Sequence, residues 1–298
     1  MTSPTLSIVI PVYNDPDGVK ATLRSLTDQT HPIDEYEILV VDNGSTDQTP
    51  SVIAAFEQDH PTLVTGVTET AIQSSYAARN RGIAHAIGTY VAFVDADMRA
   101  DSDWVEVVIT RLHDKLCRYL ACNVRVFLPK RNRMARFDQL KGFPIEAFLR
   151  DHQFAPTCSL VVETSLFGEI GTFDSRLMSG GDCEFGKRVA EAGITQVYAP
   201  DIVLFHPART TVSAHLTRHW RIGRGITQQL QYHPNRVQDR YPSLYKTFVP
   251  PRPQKLRSFA RKTELTVGDG VVFYGLEYAE QLTRGLGRVY EHVVSSAR

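Results

Sequence analysis

A chain of 298 residues with 33 Lys and Arg against 33 Asp and Glu has no net charge to hold nucleic acid by bulk electrostatics, and its 42% hydrophobic content is that of an ordinary globular protein. Its four cysteines, Cys117, Cys122, Cys158 and Cys183, form no C-x-x-C pair and no signal peptide precedes the first strand, so reduced thiols and a cytoplasmic location are expected. No apolar stretch approaches bilayer-spanning length, which leaves a soluble or peripheral protein.

Leu6 to Tyr13 reads as a short apolar strand and Asn14 to Gly18 as a turn. A helix follows from about Asp17, with Val19, Leu23 and Leu26 on its inner face. Tyr36 to Asp42 is a second strand ending in an acid. Ser45, Thr46 or Asp47 can cap the next helix, which runs toward Phe56. Thr62 to Thr68 is a third strand, and Ser74 to Ile87 a third helix with Tyr76, Ile83 and Ile87 as inner residues. Thr89 to Val94 is a fourth strand. It breaks off into Asp95-Ala-Asp97. Repeated β-α units with continuous apolar strands predict an α/β fold, a parallel sheet covered by helices on both faces.

Later elements are less regular. A helix is expected over 102–116, a strand over 119–128, and a basic loop from Pro129 to Arg133. A helical segment over 137–149 is broken at Gly142 to Pro144. A strand over 157–162, a turn-rich loop over 168–174 and a helix over 182–192 closed by Gly193 follow. Short strands lie between Val197 and Phe205. From Ser213 the chain turns helical and basic, continues through a basic stretch from Arg252 to Lys262, and ends in an amphipathic segment, 271–294. Leu276, Ala279, Leu282, Leu286 and Val289 are its apolar stripe. The division expected is a first domain over 1–212, with halves 1–100 and 101–212, and a helical extension over 213–298.

In open parallel sheets, ligands gather at the carboxyl ends of strands. Asn14, Asp42, Asp95 and Asp97 all stand there. Alternation puts Asp95 and Asp97 on one side of their strand, where two acids repel unless a cation or donors meet them. A hard divalent ion carrying phosphate oxygens is one such partner, and a helix cap is the plain alternative. The acids at 95, 97, 101, 103 and 106 partly mimic a calcium loop, but Ala100 replaces the required glycine and a strand replaces the leading helix. Asp42 can accept hydrogen bonds from a nucleobase or ribose, or serve only its turn. No G-x-G-x-x-G follows a strand and no P-loop motif occurs. Arg79 and Arg81 are by default solvated charge, though one can reach a diphosphate from its helix.

Four stretches, Ser7-Ile-Val-Ile-Pro-Val-Tyr-Asn14, Val40-Val-Asp-Asn-Gly-Ser-Thr-Asp47, Ala78-Arg-Asn-Arg-Gly82 and Phe93-Val-Asp-Ala-Asp97, occur in the order and spacing of family 2 glycosyltransferases. The chain resembles that family closely over its first hundred residues and more loosely to about His206. The resemblance implies a GT-A fold, a nucleotide-diphosphate sugar donor with a UDP-sugar favoured, a Mg²⁺ or Mn²⁺ ion, and inversion at the anomeric carbon. Carried over, Pro11, Tyr13 and Asn14 border the nucleoside, Asp42 binds the base, and Arg79 and Asn80 sit near the diphosphate. Asp95 meets the ribose or metal, Asp97 the metal, and His206 completes the metal or diphosphate site. The family's Glu-Asp pair corresponds to Gly181-Asp182, with Gly181 in place of the usual Glu. Asp182 is then the catalytic base and Glu184 the reserve. A helix N-terminus favours an ionised carboxylate, so desolvation or the acceptor itself has to sharpen Asp182 as a base.

Arg218-His-Trp-Arg221 is a faint echo of the signature of processive synthases, and membrane spans are absent, so transfer of single sugars to a sugar or lipid-linked acceptor is expected. The extension reads as a lid or dimer contact ahead of a peripheral contact with anionic lipid at the inner membrane face. Two other functions compete: a sugar nucleotidyltransferase, which would open with a Gly-rich loop, and a degenerate transferase fold kept as a binding or scaffold subunit.

Overall fold

The computed structural model describes residues 4–115, 117–237, 241, 243–252, 254 and 266–296. They fall into two compact units, one of residues 1–127, 142–176 and 181–207, the other of 128–141, 177–180 and 208–298.

In the first unit, β1 (Leu6–Val12), α1 (Pro16–Thr27), β2 (Tyr36–Asp42), α2 (Thr49–Asp59), β3 (Val64–Thr68), α3 (Ser75–His85) and β4 (Tyr90–Phe93) alternate as the apolar runs predict. β1 pairs in parallel with β2 and β4, and β2 with β3. Leu6, Ile8, Val9 and Ile10 are wholly buried, as a strand covered on both faces requires. Asp15 caps α1 by accepting from the Gly18 amide at 2.9 Å, and Asp47 accepts from Thr49 at the start of α2. The helix after β3 is shorter than expected. It stops at His85 because Ala86 is extended, and Ile87 is therefore 63% exposed rather than an inner residue.

β5 (Arg99–Ala100), α4 (Trp104–Lys115), β6 (Tyr119–Phe127), α6 (Ile145–His152), β7 (Leu160–Glu163), α7 (Thr164–Ile170), α8 (Gly181–Glu191) and β8 (Gln196–Pro207) complete the unit; α5 (Arg133–Lys141) belongs to the other. The sheet runs β3-β2-β1-β4-β7-β6-β8-β5. β7 is antiparallel to both β4 and β6, and β5 to β8, so the sheet is mostly parallel. The short strands expected between Val197 and Phe205 are one strand, β8, which keeps pairing with β6 through a register shift at Cys122/Asn123. The loop expected over 168–174 is helical in its first part, as the end of α7.

In the second unit, α9 (Val212–Tyr232), α10 (Pro234–Val237), a 3₁₀ turn over Leu244–Phe248 and the thirty-residue α11 (Val267–Ser296) join α5. Met134, Phe137 and Phe273 form its apolar core, flanked by Leu140 and Leu276. α9 and α11 cross closely: a Cβ on Gly223 would lie 2.2 Å from the Arg284 carbonyl oxygen, and one on Gly287 2.5 Å from that of Trp220. The predicted apolar stripe of α11 is only partly its inner face. Leu286 is 54% and Val289 37% exposed, whereas Glu277, Glu280, Arg288 and Glu291 are buried. The partner helix explains this: Arg224 and Gln228 of α9 bond the Glu291 carboxylate at 2.6 and 2.8 Å, so polar groups find partners inside. Of the basic stretch 252–262, all but Arg252 and Gln254 lies outside the described residues. No helix among the described residues is long and apolar enough to cross a membrane.

Candidate active site

The loops after β1, β2 and β3 are sewn together at the carboxyl edge of the sheet. Asn14, in the left-handed region at φ 49°, donates its amide to Ser45 Oγ at 2.9 Å and accepts from the Thr46 amide at 2.8 Å. Asp42 is buried at the end of β2 and accepts from the Ser45 amide at 3.2 Å. Asn43 donates to the carbonyls of Glu69 and Ile72, both at 2.9 Å. Pro11 lies opposite Val41, beyond the part of β1 that β4 pairs with, so its missing N–H breaks no ladder there. Tyr13 is half exposed beside the turn. Together these residues make a rigid notch walled by backbone amides and one carboxylate. The clasp through Ser45 and Thr46 has no signal in sequence beyond turn propensity.

Asp95 and Asp97 follow β4. Arg79, on α3, is buried and not a surface charge: its Nη2 donates to Asp95 Oδ1 at 2.6 Å and its Nη1 to the Ser75 carbonyl at 3.2 Å. Its Nε is buried without a hydrogen bond. Asn80 turns the other way and gives both ends of its amide to the Phe173 backbone, at 2.8 and 3.0 Å, which leaves it a positioning group rather than a ligand. Arg81 is exposed.

His206, at the end of β8, faces Asp97 with Nε2 3.8 Å from Oδ1. Its other nitrogen, Nδ1, is 2.7 Å from the Pro207 carbonyl, which only accepts, so Nδ1 carries the proton. Nε2 then faces the Asp97 carboxylate, and an imidazole and a carboxylate set side by side are chemically suited to a divalent ion. Phe143 packs against the His206 ring at 5.2 Å and holds it in place.

Asp182 opens α8. Its Oδ1 accepts from the Cys183 amide at 2.9 Å and lies 3.5 Å from the Tyr76 hydroxyl. Glu184 is not available in the same way. It is 1% exposed and bonds Arg188 through Nε at 2.9 and 3.1 Å and Nη2 at 2.9 Å. Arg188 in turn holds the carbonyls of Gly171 and Thr172 at 3.0 and 2.6 Å. Glu184 therefore ties α8 to the 171–172 loop, and the reserve base of the sequence reading is withdrawn from the cleft.

The carboxylates converge. Burial pushes the Cys158 thiol well above its ordinary range, and the charges of Asp95, Asp182 and Asp97 push it further while Arg79 opposes them. One aromatic cluster underlies the group. Phe93 of β4 packs on Phe173 at 5.4 Å, and Phe173 packs on Phe185 of α8 at 4.9 Å and on Tyr76 at 5.8 Å.

Gly181 has a physical reason in the same place. A Cβ there would stand 2.9 to 3.0 Å from the Tyr76 ring. The ring fills the volume a side chain at 181 would need, and its hydroxyl approaches Asp182 from that side. Gly181→Glu is accordingly expected to destabilise the protein by about 1–3 kcal/mol, and much less so when combined with Tyr76→Ala. Urea denaturation of the four proteins of the cycle tests this, and simple additivity would refute it.

The model of Glycosyl transferase family 2 matches residues 7–172. The chain is 33% identical over 228 residues to glycosyltransferase AglE of Haloferax volcanii, covering 76% of this chain and 74% of that protein. It is 25% identical over 239 residues to the pre-mycofactocin glycosyltransferase of Mycobacterium tuberculosis, and spans 49% of that protein's length. Among solved structures, it resembles mannosyltransferase PcManGT of Pyrobaculum calidifontis in complex with GDP-Man and Mn²⁺, with TM-score 0.66 and 19% identity over 97% of this chain and 87% of that one. It also resembles residues 1–349 of S. aureus TarS in complex with UDP-GlcNAc, with TM-score 0.56 and 17% identity over 99% and 92% of the two chains.

Proposed function

The chain belongs to glycosyl transferase family 2 and has the GT-A fold, and from that membership we propose a metal-dependent enzyme that moves one sugar from a nucleotide-diphosphate donor to an acceptor hydroxyl with inversion. The observation that carries the proposal is the opposition of His206 Nε2 and Asp97 Oδ1 at 3.8 Å beside the Arg79–Asp95 pair. The nucleoside lies in the notch of Pro11, Tyr13, Asn14 and Asp42. Asp97 and His206, with Asp95 beside them, would hold Mg²⁺ or Mn²⁺, which when bound would supply positive charge against the leaving diphosphate. Arg79 orients Asp95 through its 2.6 Å bond, and its guanidinium adds positive charge to the same corner. Asp182 accepts the proton of the attacking hydroxyl, with its carboxylate fixed by the Cys183 amide and Tyr76. One base and one displacement give inversion.

Likeness to complexes with GDP-Man and Mn²⁺ and with UDP-GlcNAc supports both the donor class and the ion, and keeps two nucleosides in play. A UDP-sugar remains the first donor to test. The acceptor is a sugar or lipid-linked sugar in polysaccharide, glycolipid or other glycoconjugate assembly. The 213–298 extension acts as a lid, a dimer contact or a lipid contact, in a cytoplasmic protein. Incubation of the purified protein with UDP-, GDP- and dTDP-sugars and Mn²⁺ tests the reading. Donor-dependent thermal stabilisation and release of nucleoside diphosphate are expected, both lost with chelator. Release of pyrophosphate would instead identify a nucleotidyltransferase, and binding without turnover a scaffold subunit.

A further inference from the structure

The second unit buries a cluster of titratable groups that sugar transfer does not use. His215 and His219 stand one turn apart on α9, and Glu280 meets them from α11. All three are buried, and among the described residues they form a group whose ligand atoms all lie within 4.8 Å of one another. Glu280 Oε1 contacts His215 Nε2 and lies 3.4 Å from His219 Nε2. Both histidines therefore address the same carboxylate oxygen. The other oxygen, Oε2, accepts from Lys141 Nζ on α5.

His215 Nδ1 makes no hydrogen bond but lies 3.4 Å from Asp138 Oδ1, and Asp138 Oδ2 accepts from the Arg209 amide at 2.9 Å. A histidine backed by a carboxylate at one nitrogen and free to ligate with the other is a recurrent metal-site arrangement. At His219 neither ring nitrogen makes a hydrogen bond, although the residue is 4% exposed. A buried imidazole without a partner asks for an explanation.

We propose that His215, His219 and Glu280 bind a divalent transition metal, zinc by the chemistry of the set, as a structural tie between α9 and α11 within the second unit. Two imidazoles and one carboxylate suit zinc, with a water for the fourth position. The neighbourhood also holds cations. Arg218 is lowered to about 10 by burial, then by Arg209, and Lys141 is in contact with Glu280. Asp138 and Glu277 stand against that charge. The competing arrangement is metal-free, with His215 hydrogen-bonded directly to Glu280.

The test uses full-length Asp97→Ala protein, so that the ion proposed for the sugar-transfer site does not contribute. After dialysis against chelator it is titrated with Zn²⁺ and, separately, Co²⁺. Expected are one zinc per chain by elemental analysis, a zinc-dependent rise in Tm, and the visible absorption of four-coordinate Co²⁺. His219→Leu in that background replaces an unbonded imidazole with an apolar side chain. It should keep the circular dichroism of the parent and lose all three signals. If His219→Leu does not fold, His219→Gln serves the same comparison. Zinc uptake equal in the folded variant and the parent, or absent from the folded parent, overturns the proposal. Neither result bears on sugar transfer.

Discussion

Asp182→Asn should lower kcat for sugar transfer by about 10²–10⁴-fold, the usual contribution of a positioned general base, while donor binding persists. Asn keeps an oxygen to accept the Cys183 amide at 2.9 Å, so the start of α8 is undisturbed. It cannot take a proton. Nucleoside diphosphate release at saturating donor and acceptor measures kcat, and thermal shift with donor alone measures binding. A wild-type rate in the Asn enzyme would move the base elsewhere. Glu184→Gln should behave differently. It leaves the Arg188 charge uncompensated beside two loop carbonyls. Its loss should therefore appear in stability, up to about 3–5 kcal/mol. Retained stability with abolished turnover in Glu184→Gln would restore it as the base.

The second large effect belongs to Asp97→Ala. Removing the carboxylate that faces His206 should cost transfer about 10³-fold, since metal stabilisation of a developing charge is worth several kcal/mol and each 1.36 kcal/mol is tenfold. Saturable stimulation by Mn²⁺ should vanish with it. His206→Gln is expected to be milder, about 10–100-fold. Rates at limiting and saturating Mn²⁺ separate the variants. Unchanged Mn²⁺ dependence in Asp97→Ala would remove the ion from this position.

The first hundred residues were legible because β1, β2 and β4 are apolar runs and α1 and α3 begin at side-chain caps, Asp15 and Ser74. Beyond them the signals weaken for physical reasons. β7 is four residues long and is inserted antiparallel between β4 and β6, so half of its pairing is with a strand from the first hundred residues. Gly168 inside α7 reads as a turn, and Pro200-Asp201 inside β8 reads as the end of a strand. The inner face of α11 was misread because burial there follows hydrogen-bonding partners on α9, which no periodicity of α11 contains.

For the site, residue types at strand ends were readable, but their partners were not. Residue type and spacing do not distinguish Arg79, buried on Asp95, from Arg81, exposed two residues away; only the family resemblance singled out Arg79. The same resemblance, not local pattern, ranked Asp182 ahead of Glu184, two positions apart on one helix and differently engaged. Tyr76 was visible only as an inner helical residue. Its contact with position 181 joins segments about a hundred residues apart, and it accounts for a glycine that otherwise looks like damage to the motif.

The aromatic cluster under the carboxylates has a consequence for how such an enzyme changes over generations. Phe93 stands two residues before Asp95 and Phe185 three after Asp182, and Phe173 touches both rings. The carboxylates proposed to act in transfer are thus bolted to one interior, whereas the notch proposed for the nucleoside is stitched from surface loops. Donor preference is free to drift by loop substitution without retuning the distance from leaving group to base. A substitution among the three rings would be felt at both ends together, and would slow transfer from every donor alike.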